Sequence, residues 1–363
     1  MGYDAINRVS LYPILKLYFM RPIGILLFFA VVFISCEKEV KTKNNYSFYH
    51  WSTTYHPTEK TDQLIKDGGT YKEYVRFFDL TVDQKANSVF PIATIQFDEE
   101  VQIIAKEIIP VVYIRNEVFL HKDGSKNNLN KLAKNTAEKI KRIQNKNLMG
   151  KAAVKQIQID CDWTNRTKTN FFEFLRFLKK EMPGYVISST LRLHQVKFKE
   201  RTGVPPVDRV VLMAYNVGDL GDEEEMNSII SNEVTAQYLE QLEDYPLPYD
   251  VALPLFEWGV LYRDGKLKGL IRDLTPSLLE SAFAKAGKEN TYKATSDSYI
   301  NGIFIYKGDD LRVETVNKEK LQELSSMIKK ASGSDANYET IFYHINSPLT
   351  LKFSSDELSS FAQ

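Results

Sequence analysis

The chain has 363 residues, 43% of them hydrophobic and 26% charged, which is ample for one large core. Its 47 basic residues equal its 47 acidic ones, so it lacks the basic excess that a general nucleic-acid binder needs to neutralise phosphates. Its two cysteines, Cys36 and Cys161, build neither a disulfide framework nor a zinc site of the usual spacing.

The N-terminus reads as an address. Arg21-Pro22 is followed by an apolar run over residues 23–35 and then Cys36. A basic start, a short apolar stretch and a small residue before the cut make a secretory signal. The run is short of the roughly 20 apolar residues of a spanning helix. Phe33-Ile34-Ser35-Cys36 resembles the lipobox of bacterial lipoproteins, with Phe where Leu is commoner. The resemblance implies that Cys36 is lipidated and holds the protein in the bacterial cell envelope, at the outer membrane or the cell surface. An uncleaved membrane anchor is the alternative. Translation from Met20, rather than Met1, would give a signal of ordinary length. Residues 1–35 are therefore set apart as a signal peptide and residues 36–45 as a polar tether.

Beyond the tether, strand-like and helix-like runs alternate, the pattern of βα units around a parallel sheet. Eight strands are predicted over residues 46–51, 74–79, 108–114, 154–162, 185–191, 209–215, 250–256 and 299–306. Helices are predicted over 129–144, 171–181, 233–242, 276–286 and 318–331. In residues 259–271 the pair Asp264-Gly265 marks a β-hairpin inserted after strand seven, and residues 306–313 look similar after strand eight. Strand-like pieces over 340–345 and 349–353 predict a small C-terminal β-appendage. The expected fold is thus α/β: a (β/α)8 TIM-like barrel over 46–331 with these hairpins, capped by an appendage over 332–363. An open α/β sheet is the alternative, but no glycine-rich nucleotide turn comes after the first strand.

In such barrels chemistry sits at the C-terminal strand ends. Those ends offer Trp51, Asp79, Arg115 or Asn116, Asp160, Asp162, Trp163, Arg192, His194, Tyr215, Asn216, Glu257 and Trp258, which include all three tryptophans of the chain. Asp160 and Asp162 are two apart and share a strand face, an arrangement that is costly unless something binds them or they share a proton. Trp and Tyr faces stack on sugar rings, and carboxylates and amides bond hydroxyls. The five histidines are scattered without metal-ligand spacing, so neither metal nor organic cofactor is expected.

Residues 157–164, Ile-Gln-Ile-Asp-Cys-Asp-Trp-Thr, resemble the fourth-strand signature of family 18 glycoside hydrolases, the chitinase-like barrels. Residues 211–216, Val-Leu-Met-Ala-Tyr-Asn, resemble that family's sixth-strand motif. The matched positions are Asp160, Asp162, Met213 and Tyr215. Thr164 stands where that family has its proton-donating glutamate, and Asn216 where it has an aspartate. Threonine cannot protonate a leaving oxygen, so the family mechanism does not transfer intact. Residues 46–315 are also similar in motif order to an uncharacterised family of bacterial secreted barrel proteins, through Val207–Tyr215 and Ala252–Gly265.

These residues support three readings. In the first, the chain is a glycoside hydrolase-like enzyme in which Asp160 or Asp162 works opposite Glu257, with Tyr215 beside them, and Trp51, Asp79, Trp163, Arg192, Asn216 and Trp258 bind the carbohydrate. In the second, the barrel binds glycan without cleaving it. In the third, it is a structural lipoprotein whose rim meets a protein partner. The expected partners are a carbohydrate and, through Cys36, a lipid membrane, with no nucleic acid and a monomeric chain.

Overall fold

The structure is a computed structural model that describes residues 44–362 apart from 84, 87, 99, 121–125, 273 and 335. The signal segment, Cys36 and the tether up to residue 43 lie outside the described residues.

Eight parallel strands close into a barrel: β1 (Tyr46–His50), β2 (Gly69–Asp83), β3 (Glu107–Ile114), β4 (Gln156–Asp160), β5 (Val186–Arg192), β6 (Arg209–Met213), β7 (Tyr249–Pro254) and β8 (Thr340–Tyr343). Closure is made by β1, which pairs with β8 (Phe48↔Phe342) and with β2 (Phe48↔Glu73). Ser88–Ile92 adds an antiparallel strand beside β2.

The strands form because their residues serve two buried faces at once. In β4, Ile157 and Ile159 face the surrounding helices, while Gln158 turns into the barrel and accepts the Tyr49 hydroxyl at 2.8 Å. The next helix, Lys168–Glu181, presents Phe171, Phe172, Phe174, Leu175 and Leu178 to the barrel, the spacing of one helical face. Helices Lys126–Asn147, Asn232–Leu239 and Lys318–Ala331 also stand where helical periodicity places them.

The barrel matches the expectation, but its last strand does not. Residues 299–306 are not β8: they fold as the hairpin Ser298–Ile300 with Ile303–Ile305. Asn301-Gly302 sits in the middle with positive φ at both residues (46° and 87°), a turn that no continuous strand accommodates. The true β8 lies in the segment expected to be an appendage. Beyond β8 the chain forms a 3-10 turn, Thr350–Lys352, and a helix, Ser355–Phe361, rather than a strand over 349–353.

Everything between β7 and the helix at 318 is one insertion. Its five-stranded antiparallel sheet runs Lys266–Arg272, Trp258–Arg263, Asp310–Glu314, Thr291–Ala294, Phe283–Lys285. The hairpin at Asp264-Gly265 is present, with φ of 52° and 67° at those two residues. The second predicted hairpin is absent: Asp310–Glu314 is instead the middle strand of this same sheet. The predicted helix over 276–286 stops at Ala282, where the chain becomes a strand. Leu261, Ile271, Leu274, Phe283, Ile305 and Leu311 give the insertion its own core. Among the described residues, no helix is long and apolar enough to cross a membrane.

Candidate active site

A cavity of about 410 Å³ opens at the C-terminal ends of the barrel strands, where β1, β4, β5, β6 and β8 meet the first residues of the insertion. Tyr343, the last residue of β8, is its centre. Its ring stacks on Tyr215 at 5.4 Å and meets Trp51 edge-on at 5.4 Å, with Tyr49 and Phe256 each at 5.6 Å. Trp258 closes the far side against Phe256 at 5.1 Å. These rings make an apolar floor and wall large enough to bury the face of a small ring.

Among the described residues, two carboxyl groups line this cavity, Asp160 and Glu257. Asp160 ends β4 on the same side as Gln158 and is buried. Thr190 on β5 donates its hydroxyl to Oδ1 at 2.7 Å. Burial, with the nearby Asp162 charge adding to it, pushes the Asp160 carboxyl up to about 7. Glu257, just past β7, accepts from Thr315 Oγ1 at 3.2 Å and from Lys352 Nζ at 3.4 Å.

Asp162 lies outside the cavity lining. Its side chain is half-exposed and takes Arg192 Nη1 at 2.9 Å. Arg192 also reaches the Asn216 carbonyl through Nη2 at 3.2 Å, so it braces the β4 end against the loop after β6 rather than lining the cavity. Asn216 does line the cavity. It holds a left-handed φ of 56°, and among the described residues its buried side-chain oxygen, Oδ1, has no partner.

Two candidate sugar contacts are placed elsewhere. Trp163 is buried between β4 and its helix, stacked on Phe171 at 5.3 Å, with its indole N–H on the Thr202 carbonyl at 3.1 Å. It shares strand parity with Ile157 and Ile159, so it faces the helices and not the barrel mouth. Asp79 is buried in a two-pronged pair with Arg76, whose Nε reaches Oδ1 at 2.7 Å. Arg76 in turn lies 5.4 Å from the Trp51 ring, so Asp79 supports Trp51 from beneath without touching the cavity. Thr164 is exposed at the helix entrance, where its backbone N–H donates to Thr167 Oγ1 at 2.9 Å.

Tyr343, His344, Asn346 and Ser347 also line the cavity and escaped the sequence reading because β8 was misplaced. Burial, with Arg272 nearby, lowers His344 to about 3, so its ring is neutral at physiological pH. The insertion sets Trp258. Glu314, fully buried, accepts its indole N–H at 2.8 Å, Ser228 Oγ at 2.6 Å and Arg312 Nε at 2.8 Å. One carboxylate thereby ties the insertion sheet to the cavity wall and to the loop after β6. Among the described residues, no group of His, Cys, Asp and Glu is placed to hold a metal ion.

No protein-family model matches the chain, and no curated protein matches it. Solved structures do. The spore cortex-lytic enzyme SleL of Bacillus cereus is 15% identical with a TM-score of 0.48, over 86% of this chain and 75% of that one. A chitinase from Chromobacterium violaceum is 12% identical with a TM-score of 0.48, over 88% and 99%. The chitinase-like agglutinin of Robinia pseudoacacia is 11% identical with a TM-score of 0.47, over 87% and 98%.

Proposed function

We propose that the barrel is a glycoside hydrolase-like protein that binds a carbohydrate across the Tyr343–Trp51–Trp258 surface and cleaves it with Asp160 and Glu257. The observation that carries this reading is Asp160. It is a buried carboxyl opening into an aromatic cavity, held close to neutrality, so that near pH 7 it can carry a proton to a glycosidic oxygen. In the proposed step Asp160 gives that proton to the leaving oxygen as the bond to the anomeric carbon breaks. A water adds to that carbon and passes a proton to Glu257, so one water is consumed per bond broken. Tyr215 and Asn216 hold the sugar beside Asp160, and Asn216 Oδ1 gains the donor it lacks.

A second reading, binding without cleavage, draws on the fixed state of the neighbouring groups. Thr164 is tied to Thr167 and has no acid to offer, and Asp162 is committed to Arg192.

The lipid anchor at Cys36 belongs to the same proposal. Asn44, where the tether meets the barrel, is held by the C-terminal helix through Ala362 O at 3.0 Å and Ser359 Oγ at 3.0 Å. This lies at the N-terminal end of β1, opposite the mouth of the barrel.

The test is a glycan-array screen with the purified protein, followed by mass spectrometry of every bound glycan for released product. Binding with product that disappears in Asp160→Asn supports cleavage. Binding with no product leaves the second reading, and no binding rejects both.

A further inference from the structure

Glu257 is answered by Lys352. Arg272 also lines the cavity, and among the described residues it has no ion-pair partner. Its position is built. It is the last residue of the strand Lys266–Arg272, directly across from Trp258, and its carbonyl is pinned by Asn301 Nδ2 at 2.6 Å. It lines the same cavity as Tyr343 and His344. His344 adds an unmet demand: among the described residues its buried Nδ1 has no hydrogen-bond partner.

A guanidinium with no ion-pair partner among the described residues, in one cavity with a ring nitrogen that lacks a bond and with aromatic rings, suits an anion carried on a ring. Arginine matches a carboxylate with two parallel N–H bonds, and a neutral imidazole can add an N–H. We propose that the glycan is acidic, a hexuronate-type sugar whose carboxylate docks on Arg272 with His344 beside it. This rests on the glycan reading of the same cavity and narrows it.

The experiment is calorimetric titration of the purified protein with tetramers of galacturonate, mannuronate, guluronate and glucuronate, each paired with its carboxyl-reduced neutral form. The same titrations are run on Arg272→Gln, at a position exposed to solvent, with a thermal melt to show that it folds. At least one acidic tetramer is expected to bind about tenfold or more tighter than its reduced twin, a difference of about 1.4 kcal/mol. Arg272→Gln is expected to erase that difference by weakening the acidic form, and Arg272→Lys to restore part of it. Equal binding of acidic and reduced forms overturns the proposal while leaving the glycan reading intact. An acid preference that survives in Arg272→Gln overturns the assignment to Arg272. No binding of any tetramer, acidic or reduced, overturns the proposal, and the array result then decides the fate of the glycan reading separately.

Discussion

Replacing Asp160 with Asn should make the protein more stable while it removes function. Asp160 is buried, and its carboxyl is raised from 3.8 to about 7 by burial and by Asp162. A raised carboxyl pKa means that the folded state holds a proton that the unfolded state has released. Stability therefore falls as pH rises from about 4 to about 7 and is level beyond. The shift spans roughly three pH units at about 1.4 kcal/mol each, so the ionised carboxylate costs on the order of 4 kcal/mol at pH 8. Asparagine has no proton to lose, and its Oδ1 can still accept the Thr190 hydroxyl. Urea unfolding of both proteins at pH 4 and pH 8 reads the effect. Near-equal stability is expected at pH 4, and at pH 8 Asp160→Asn is expected to be the more stable by a few kcal/mol. A stability difference of the same size at both pH values would refute the reasoning, because it would show that the Asp160 ionisation is not coupled to folding.

Four further outcomes are expected. Tyr343→Ala removes the ring around which the cavity is built and should weaken glycan binding about tenfold to a hundredfold, the worth of burying one large apolar side chain, as read by calorimetry. Trp163→Phe loses the bond to Thr202 and part of the core, costing about 1–3 kcal/mol in urea unfolding while glycan affinity holds. Glu314→Gln leaves Arg312 buried without its charge partner and should lower stability by about 3–5 kcal/mol, with weaker glycan binding because Trp258 loses its anchor. Glu73 is buried beneath the Tyr55 hydroxyl and raised from 4.5 to about 7 by burial, so Glu73→Gln should stabilise the fold by on the order of 3 kcal/mol at pH 8 and by nothing near pH 4, as read by urea unfolding at the two pH values.

The barrel was legible because strands buried on both faces read as near-continuous apolar runs and the intervening helices keep a clear face, as in Phe171 to Leu178. The place of its eighth strand was not: residues 340–345 read as a strand, but the longer apolar run over 299–306, which hides a turn at Asn301-Gly302, takes the eighth place and leaves Thr340–Tyr343 to the appendage. With the eighth place given to 299–306, Tyr343, His344, Asn346 and Ser347 stand outside the expected site, and Arg272 falls just past the hairpin expected over 259–271. Strand parity alone places Trp163 with Ile157 and Ile159, away from Asp160. Asp79 could not be read that way, because an irregularity between Arg76 and Phe78 shifts the register of β2. Asp160 and Glu257 were both visible as strand-end acids. That Asp162 would be taken up by Arg192 while Asp160 stayed with Thr190 depends on packing between β4, β5 and the loop after β6, which no local pattern encodes.

The central claim is that sugar is bound at the mouth of the barrel against Trp51 and Trp258. Tryptophan emission tests it most directly, since the chain has three tryptophans and only these two line the cavity. The measurement is emission during titration with a glycan that binds in the array, in the wild-type chain, in Trp163→Phe and in Trp51→Phe/Trp258→Phe. The expected result is a saturable change that persists in Trp163→Phe and vanishes in the double variant. A change that is lost in Trp163→Phe and kept in the double variant would contradict the assignment and move the binding site away from the barrel mouth.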